Sequence, residues 1–400
     1  MGRRYTQSMH IITTTKELQS VCDRLATEKY VTVDTEFMRE TTYWPLLCLI
    51  QMAGEHDEVI VDPLSEDLSL EPFMELMGNN SVMKVFHAAR QDVEIIHHLG
   101  GIVPTPMFDT QVAAMVCGFG DSIGYENIVR QLTGNSIDKS SRFTDWSRRP
   151  LSDKQLSYAL SDVTHLRPVY QKLRKSLNKS NRESWLAEEM AILTSPDTYS
   201  ANPEQAWKRL KFKARNKKSL AIFMHVAAWR EREAQERDVP RNRVLKEDAL
   251  GEMAVQSPDS VEGLARLRAL PRGFAQSKQA KSLLQAIADG RNMDADDVPS
   301  VKHNNKPPVP APASVVDLLK VTLKYVCESH GVASKLIANV ADLEAIALSD
   351  QANVNALKGW RRKLFGEIAL DVKHGKLAVA LEDGEITIEP RQTTRARAAE

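Results

Sequence analysis

Two carboxylates, Asp34 and Glu36, close an apolar, β-branched run that begins at Val31. Side chains at positions i and i+2 of a strand point to the same face, so these two carboxylates would lie side by side and repel each other unless cations neutralise them. The spacing therefore favours a divalent-metal site. Because acidic pairs are also common on solvated strand edges, this interpretation needs further ligands from elsewhere in the chain.

Three further residues carry the groups that such a site needs. Asp92 lies in the first turns of a predicted helix that follows an apolar strand. Tyr158 and Asp162 stand four residues apart in a later predicted helix, so they share one face of it. An isolated tyrosine and aspartate at this spacing are more often a half-buried phenol and a solvated carboxylate. Their position after three other carboxylates of one domain favours a shared site.

The surrounding pattern predicts strands and helices in alternation. A capped helix after residue 13 leads into the strand that carries Asp34, and apolar runs at 43–52 and 58–63 extend it into a three-strand antiparallel meander. The elements predicted after the meander are helices at 70–78, 88–99, about 110–117 and Ser152–Tyr170, with strands at 82–86 and from 106. This order predicts a mixed α/β sheet that is covered by helices.

Composition restricts the classes of function. A chain of 400 residues with 42% hydrophobic content is sufficient for two or three packed domains. Its 53 basic and 53 acidic residues balance, so only local charge can indicate a nucleic-acid partner. No segment reaches the roughly 18 apolar residues of a membrane span, and residues 1–10 lack the apolar core of a signal peptide. The four well-separated cysteines suggest buried structural thiols, and we expect a cytoplasmic protein.

Taken together, the carboxylates and the tyrosine follow the order of the DEDD 3′–5′ exonucleases, in the subgroup whose last motif contributes a tyrosine. Most of the segment from residue 11 to residue 175 resembles the ribonuclease D family in particular. The matching segments are Val33–Phe37, Tyr43–Gln51, His87–Asp92, Phe108–Gln111 and Thr144–Leu151. All the acidic positions and the tyrosine are filled, so the sequence predicts an active enzyme.

The resemblance implies a ribonuclease H-like mixed sheet and five catalytic residues, namely Asp34, Glu36, Asp92, Tyr158 and Asp162. The four carboxylates would hold two Mg²⁺ or Mn²⁺ ions, which are hard cations that prefer oxygen ligands. By resemblance, Asp34 binds both metals, Glu36 and Asp162 mainly bind the metal on the nucleophile side, and Asp92 binds the other. Tyr158 would position or help to deprotonate the attacking water, and nucleoside 5′-monophosphates would be released one at a time.

Four neighbouring residues are predicted to contact the substrate: Thr35, His87, Lys139 and Arg142. A hydrogen-bonded structural role is an equally good interpretation for His87. Lys139 and Arg142 belong to a basic loop that could bind RNA phosphates or could simply be solvated. Asp109 is predicted to cap the helix that follows it and to have no catalytic role.

Beyond residue 176 the chain becomes helical and locally basic. The predicted divisions are a flexible N-terminus (1–10), the exonuclease domain (11–176), a helical connector (177–202), a first HRDC domain (203–288), a Pro-rich linker (289–314), a second HRDC-like domain (315–375) and a C-terminal tail (376–400). HRDC domains are small all-α modules found in ribonuclease D and in some helicases. Trp207–Leu210, Ala228–Arg232 and Val244–Leu250 carry the first resemblance, and the second copy is more divergent.

Seven of the twelve residues from Trp207 to Lys218 are Lys or Arg, which favours a phosphate-binding face and predicts salt-sensitive substrate binding. A solvated helix face is the alternative. The resemblance implies an enzyme that trims RNA 3′ ends, such as those of tRNA precursors. We expect it to act as a monomer and without membrane association. Two other functions stay open, a DNA-directed exonuclease of the same superfamily and a binding protein with a vestigial nuclease site. The chain has no G-x-x-x-x-G-K-[ST] motif, which argues against a helicase.

Overall fold

The protein was analysed as a computed structural model, which describes residues 10–138, 140, 144–300 and 309–391. Its first part contains six strands: β1 Ile11–Ile12, β2 Tyr30–Met38, β3 Leu46–Ala53, β4 Glu58–Val61, β5 Met83–Phe86 and β6 Met107–Asp109. They form one sheet in the order β1-β4-β3-β2-β5-β6. The pairs β2–β3 and β3–β4 are antiparallel, whereas β1–β4, β2–β5 and β5–β6 are parallel. The predicted meander and mixed sheet are thus confirmed.

Strand β2 lies near the middle of this sheet, and its sequence explains why. Val31 and Val33 are fully buried, and their branched side chains suit a pleated strand that is covered by helices. The register with β3 shifts between Glu36, which faces Leu49, and Phe37, which faces Leu47, so Cys48 of β3 is an extra residue opposite the second carboxylate. Such a bulge bends the strand that carries it, here β3, and increases the local twist of the pair.

Eight helices cover the sheet and extend beyond it. They are α1 Thr15–Leu25, α2 Glu71–Gly78, α3 Arg90–Gly100, α4 Thr110–Val116, α5 Tyr125–Thr133, α6 Asp153–Thr164, α7 Leu166–Ser180 and α8 Glu183–Leu193. The predicted single helix Ser152–Tyr170 is wrong, because the structure breaks it between α6 and α7 at His165. Pro168 explains the break, since its ring would clash with the carbonyl of Thr164 in a continuous helix.

A first helical domain follows. It has 3₁₀ turns at Pro203–Arg209 and Phe274–Gln276, and helices α9 Lys217–Glu236, α10 Arg241–Val244, α11 Glu247–Gln256, α12 Val261–Ala265 and α13 Gln279–Asn292. Its buried residues form a core distinct from that of the sheet.

The basic segment Trp207–Lys218 does not form a single helix, which the alternative of a solvated helix face requires. A 3₁₀ turn, a non-helical stretch and the start of α9 divide it, because Asn216 caps α9 through the backbone N–H of Ser219.

A second helical region contains α14 Ala313–His330, α15 Ser334–Ile337, α16 Val340–Leu348, a 3₁₀ turn Asn355–Leu357, α17 Gly359–Arg361, a π-helical turn Arg362–Gly366 and α18 Glu367–Lys373. Its buried residues, among them Leu319 and Phe365, are continuous with the core beneath the six-stranded sheet. Arg361 pairs with Glu188 and Glu189 of α8, and Trp360 stacks on Trp185 at 4.1 Å between ring centroids. This region therefore packs on the domain of the six-stranded sheet through an apolar and ionic contact.

The chain continues into a hairpin of β7 Leu377–Glu382 and β8 Glu385–Pro390. The predicted C-terminal tail, 376–400, thus includes this hairpin in its first part. Asp383 and Gly384 both adopt positive φ, and Asp-Gly is a sequence that favours a tight hairpin turn. Within the described ranges, the structure contains no helix that is both long and apolar enough to cross a membrane.

Candidate active site

The structure brings together three of the four predicted metal-binding carboxylates. Oxygen atoms of Asp34, Glu36 and Asp162 lie within 4.8 Å of one another. The first two come from β2 and the third from α6, which packs across β2 and β3. Hard divalent cations prefer such an arrangement of carboxylate oxygens.

The fourth carboxylate, Asp92, enters from the first turn of α3 and is buried. The hydroxyl of Thr35 donates a hydrogen bond to it, so β2 fixes Asp92 beside the other carboxylates. The turn before α3 is held in its place by Asp109, whose carboxylate accepts bonds from the backbone N–H groups of Ala88 and Ala89 at 3.0 and 2.8 Å. Asp109 also accepts from the first N–H groups of α4, which confirms the predicted cap.

Two hydrogen bonds hold α6 at the level of Asp162, one from the sheet and one from α5. Thr32 of β2 donates from its hydroxyl to the carbonyl of Val163 at 2.9 Å. Tyr125 donates to the carbonyl of Asp162 itself at 2.6 Å. Helix α6 begins with a capping box formed by Ser152 and Gln155, which sets the start of the helix that carries Tyr158.

Electrostatic repulsion is concentrated at the carboxylates. Burial, together with the charges of Asp92, Asp162 and Glu36, raises the pKa of Asp34 well above its ordinary value. Burial raises the pKa of Asp92 to about 7, although the hydrogen bond from Thr35 opposes that shift. Carboxyl groups that resist ionisation in this way are stabilised as carboxylates when cations bind between them.

A cavity of about 420 Å³ opens over the cluster, and its wall includes Asp34, Glu36, Asp92, Tyr158 and Asp162. This volume is within the roughly 300–1,000 Å³ of sites that bind small ligands. All five residues predicted to be catalytic therefore face one cavity.

Of the four residues predicted to contact the substrate, two line the cavity and two lie outside the described part of the chain. Thr35 lines the cavity, but its hydroxyl is engaged by Asp92. His87 also lines it, and its Nδ1 lies 2.9 Å from the hydroxyl of Thr110. Burial lowers the pKa of His87, so its ring stays neutral near pH 7. Lys139 and Arg142 lie outside the described residues.

Sequence reasoning did not identify Tyr125, although it contributes to the cavity wall and supports Asp162. Burial and the charge of Asp162 raise its pKa well above the ordinary value, so the phenol remains a hydrogen-bond donor. Its place at the start of α5, outside every recognised motif, gave no signal. Gln111 also lines the cavity and was not predicted as a site residue. The sequence does indicate it, because it is the last residue of the matching segment Phe108–Gln111.

A mixed sheet with four carboxylates and a tyrosine around one cavity defines a 3′–5′ exonuclease, and the 3′–5′ exonuclease family matches residues 9–178. The HRDC domain family matches residues 219–287. The chain belongs to the ribonuclease D family and is a 3′–5′ exoribonuclease, as the sequence predicts.

Membership rests on close relatives over nearly the whole chain. Ribonuclease D of Nitrobacter hamburgensis is 54% identical over 94% of this chain and 98% of its own length. Ribonuclease D of Jannaschia sp. is 50% identical over 95% of this chain and 99% of its own length. The crystal structure of Escherichia coli RNase D, described as an exoribonuclease involved in structured RNA processing, superimposes with a TM-score of 0.76 and 28% identity. It covers 92% of this chain and 99% of that one.

Proposed function

We propose that the enzyme removes nucleoside 5′-monophosphates from RNA 3′ ends with two divalent cations, Mg²⁺ or Mn²⁺. The observation that carries this proposal is the convergence of Asp34, Glu36 and Asp162 within 4.8 Å, with Asp92 fixed beside them through Thr35. The donor set contains only oxygen, which fits these cations. When bound, they supply Lewis-acid stabilisation of the phosphate and lower the pKa of a coordinated water.

The side chains themselves have distinct tasks in this mechanism. The four carboxylates hold and orient the cations, and Thr35 keeps one of those carboxylates from rotating away. Tyr158 stands one helical turn before Asp162 on the same face of α6, so its phenol can position the attacking water. His87 lies at the cavity wall as a neutral ring and contributes shape and hydrogen bonding to the site of the terminal nucleotide.

Structured RNA, with tRNA precursors as the main class, is the substrate we propose. RNase D of Escherichia coli is described as an exoribonuclease involved in structured RNA processing. In this chain the basic strip, residues Trp207–Lys218, can bind the phosphates of such a molecule. Lys211 and Lys213 are exposed on the strip, whereas Phe212 between them turns inward and stacks on Phe223 with 4.2 Å between ring centroids. Because the ring of Phe212 holds this stretch in place, the two lysine side chains can bind successive phosphates of an RNA backbone.

Two further features belong to the same proposal. The second helical region acts as a divergent HRDC-type copy whose position is fixed by its packing on the nuclease domain. We propose that the enzyme works as a monomer; in support, the five residues predicted to be catalytic come from one chain, and no second copy is needed to complete the cavity.

The test is digestion of a 3′-extended tRNA and a length-matched single-stranded DNA with Mg²⁺, Mn²⁺ or chelator. The wild type is compared with Asp34→Ala and with Glu75→Gln, a control that removes one exposed negative charge from α2. We expect metal-dependent release of 5′-monophosphates from the RNA, lost only in Asp34→Ala. Equal or faster digestion of DNA would favour the DNA-directed alternative. Intact RNA binding without hydrolysis would favour the vestigial-site alternative.

A further inference from the structure

The loop between β2 and β3, residues 39–45, joins the catalytic strand to the first helical domain. Tyr43 in this loop is only 5% exposed and belongs to the core of that domain, where the other buried residues described come from 222–287. An aromatic side chain of the nuclease domain thus completes the core of a different domain. Such a contact requires that the two domains keep one relative position.

The hydroxyl of Tyr43 contacts an ionic network around the buried carboxylate of Glu231. It donates to Glu231, which is 1% exposed, and accepts from Arg241 at 2.8 Å and from Gln235 at 3.1 Å. Arg241 also binds Glu231 through two donors at 2.6 Å each. Burial and the bond to Glu231 raise the pKa of Tyr43 to about 12, so the phenol keeps its proton.

The backbone of the loop is held from the same side. One carboxylate oxygen of Asp238 accepts from the N–H of Tyr43 at 3.0 Å and from the N–H of Trp44 at 2.9 Å. Asp238 has a positive φ of 45°, which directs it from the end of α9 toward the loop. Charge-assisted bonds of this kind are stronger than neutral ones and fix the direction of the loop.

The loop also contacts the helix that carries Asp92. Arg39 forms a bidentate pair with Glu94 of α3, with both bonds at 2.8 Å. The ring of Trp44 stacks on that of His98 at 3.9 Å and 7°. The loop therefore bridges the first helical domain, the end of β2 and α3, and it begins two residues after the bulge that follows Glu36.

We propose that docking of the first helical domain sets the geometry of the metal-binding carboxylates, with Tyr43 as the positioning residue that transmits it. The proposal rests on the metal site argued above. The end of β2 pairs with β3 only as far as Met38, where Leu46 faces it, and the contacts of this loop fix the chain directly beyond that point, on the side where Glu36 emerges. Groups that orient metal ligands typically change metal affinity by about 10- to 100-fold when they are removed.

The experiment is a Mn²⁺ titration of the full chain, followed by the electron paramagnetic resonance signal of free Mn²⁺, together with the Mn²⁺ dependence of RNA hydrolysis. The variants are Tyr43→Ala, Tyr43→Phe and Asp238→Gly, the last of which tolerates the left-handed backbone. The control is Leu283→Ala, which removes volume from the same core but no group that bonds the loop.

We expect the dissociation constant for Mn²⁺ to rise by about tenfold in Tyr43→Ala and in Asp238→Gly, and by less in Tyr43→Phe, which keeps the ring. Leu283→Ala should lose thermal stability while its Mn²⁺ affinity stays that of the wild type. If the variants of Tyr43 and Asp238 bind Mn²⁺ as the wild type does, the coupling is refuted and the metal site stands. If the wild type itself neither binds nor uses Mn²⁺, the metal site fails and this inference fails with it.

Discussion

Replacement of Asp34 by asparagine should stabilise the metal-free protein while it abolishes activity. Oxygens of Asp34, Glu36 and Asp162 lie within 4.8 Å of one another. At that limiting separation two unit charges repel by about 3 kcal/mol at an effective dielectric constant of roughly 20, and Asp34 has two such neighbours. Proton uptake and hydration relieve part of this repulsion. We therefore expect Asp34→Asn to raise the free energy of unfolding by about 1–3 kcal/mol.

Thermal unfolding in chelator and in Mn²⁺ measures this effect. In a domain of this size, 1 kcal/mol corresponds to roughly 2–4 °C in Tm, so Asp34→Asn should melt several degrees above the wild type in chelator. Mn²⁺ should raise the Tm of the wild type and have little effect on Asp34→Asn, because binding to the native state alone stabilises it. The control Glu75→Gln should behave as the wild type. A variant that melts below the wild type in chelator, or that gains as much from Mn²⁺, would refute the reasoning.

Three other predictions follow from the same structure. Tyr158→Phe should lower kcat by about 100-fold or more and leave Mn²⁺ binding unchanged, since it removes a group that positions water and no ligand. Lys211→Ala with Lys213→Ala should weaken RNA binding and reduce the slope of log K against log salt by about 1 to 2, as measured by filter binding. Burial lowers the pKa of Lys84 to about 8 from 10.5, so the folded chain binds fewer protons than the unfolded chain between these values. This group should make stability rise with pH in that window, and Lys84→Met should remove the rise in urea unfolding.

Each of these predictions has a result that contradicts it. Normal kcat in Tyr158→Phe would remove the phenol from the mechanism. The double variant Lys278→Ala with Lys281→Ala makes the same charge change on exposed residues near α13, and an equal loss of RNA binding there would show that the strip is not specific. For Lys84, which is fully buried and donates to the carbonyls of Asn79 and Val82, an unchanged pH profile in the variant would contradict the lowered pKa.

The predictable part of the site depends on local periodicity. Alternation along β2 places Asp34 and Glu36 on one face of the strand, and helical spacing places Tyr158 and Asp162 on one face of α6. Resemblance to known motifs then joins these pairs to Asp92. The support from Tyr125 was not predictable, because it depends on where the start of α5 lies relative to α6, and no spacing along the chain encodes that contact.

The differences from the predicted fold have local causes. The break after α6 follows from Pro168, whose ring is incompatible with a continuous helix, whereas the apolar pattern on both sides favours one helix. The hairpin β7–β8 follows from Asp383-Gly384 between two alternating apolar runs, within the segment predicted as a C-terminal tail. Tyr43 lies within a recognised segment, yet only the tertiary structure shows that it completes the core of another domain.

The central claim is that the carboxylate cluster holds two divalent cations. Anomalous scattering from crystals of the protein grown with Mn²⁺ tests it most directly. Two anomalous peaks among the oxygens of Asp34, Glu36, Asp92 and Asp162 are the result that this account predicts. Crystals with bound Mn²⁺ elsewhere and no peak at these four residues would contradict it.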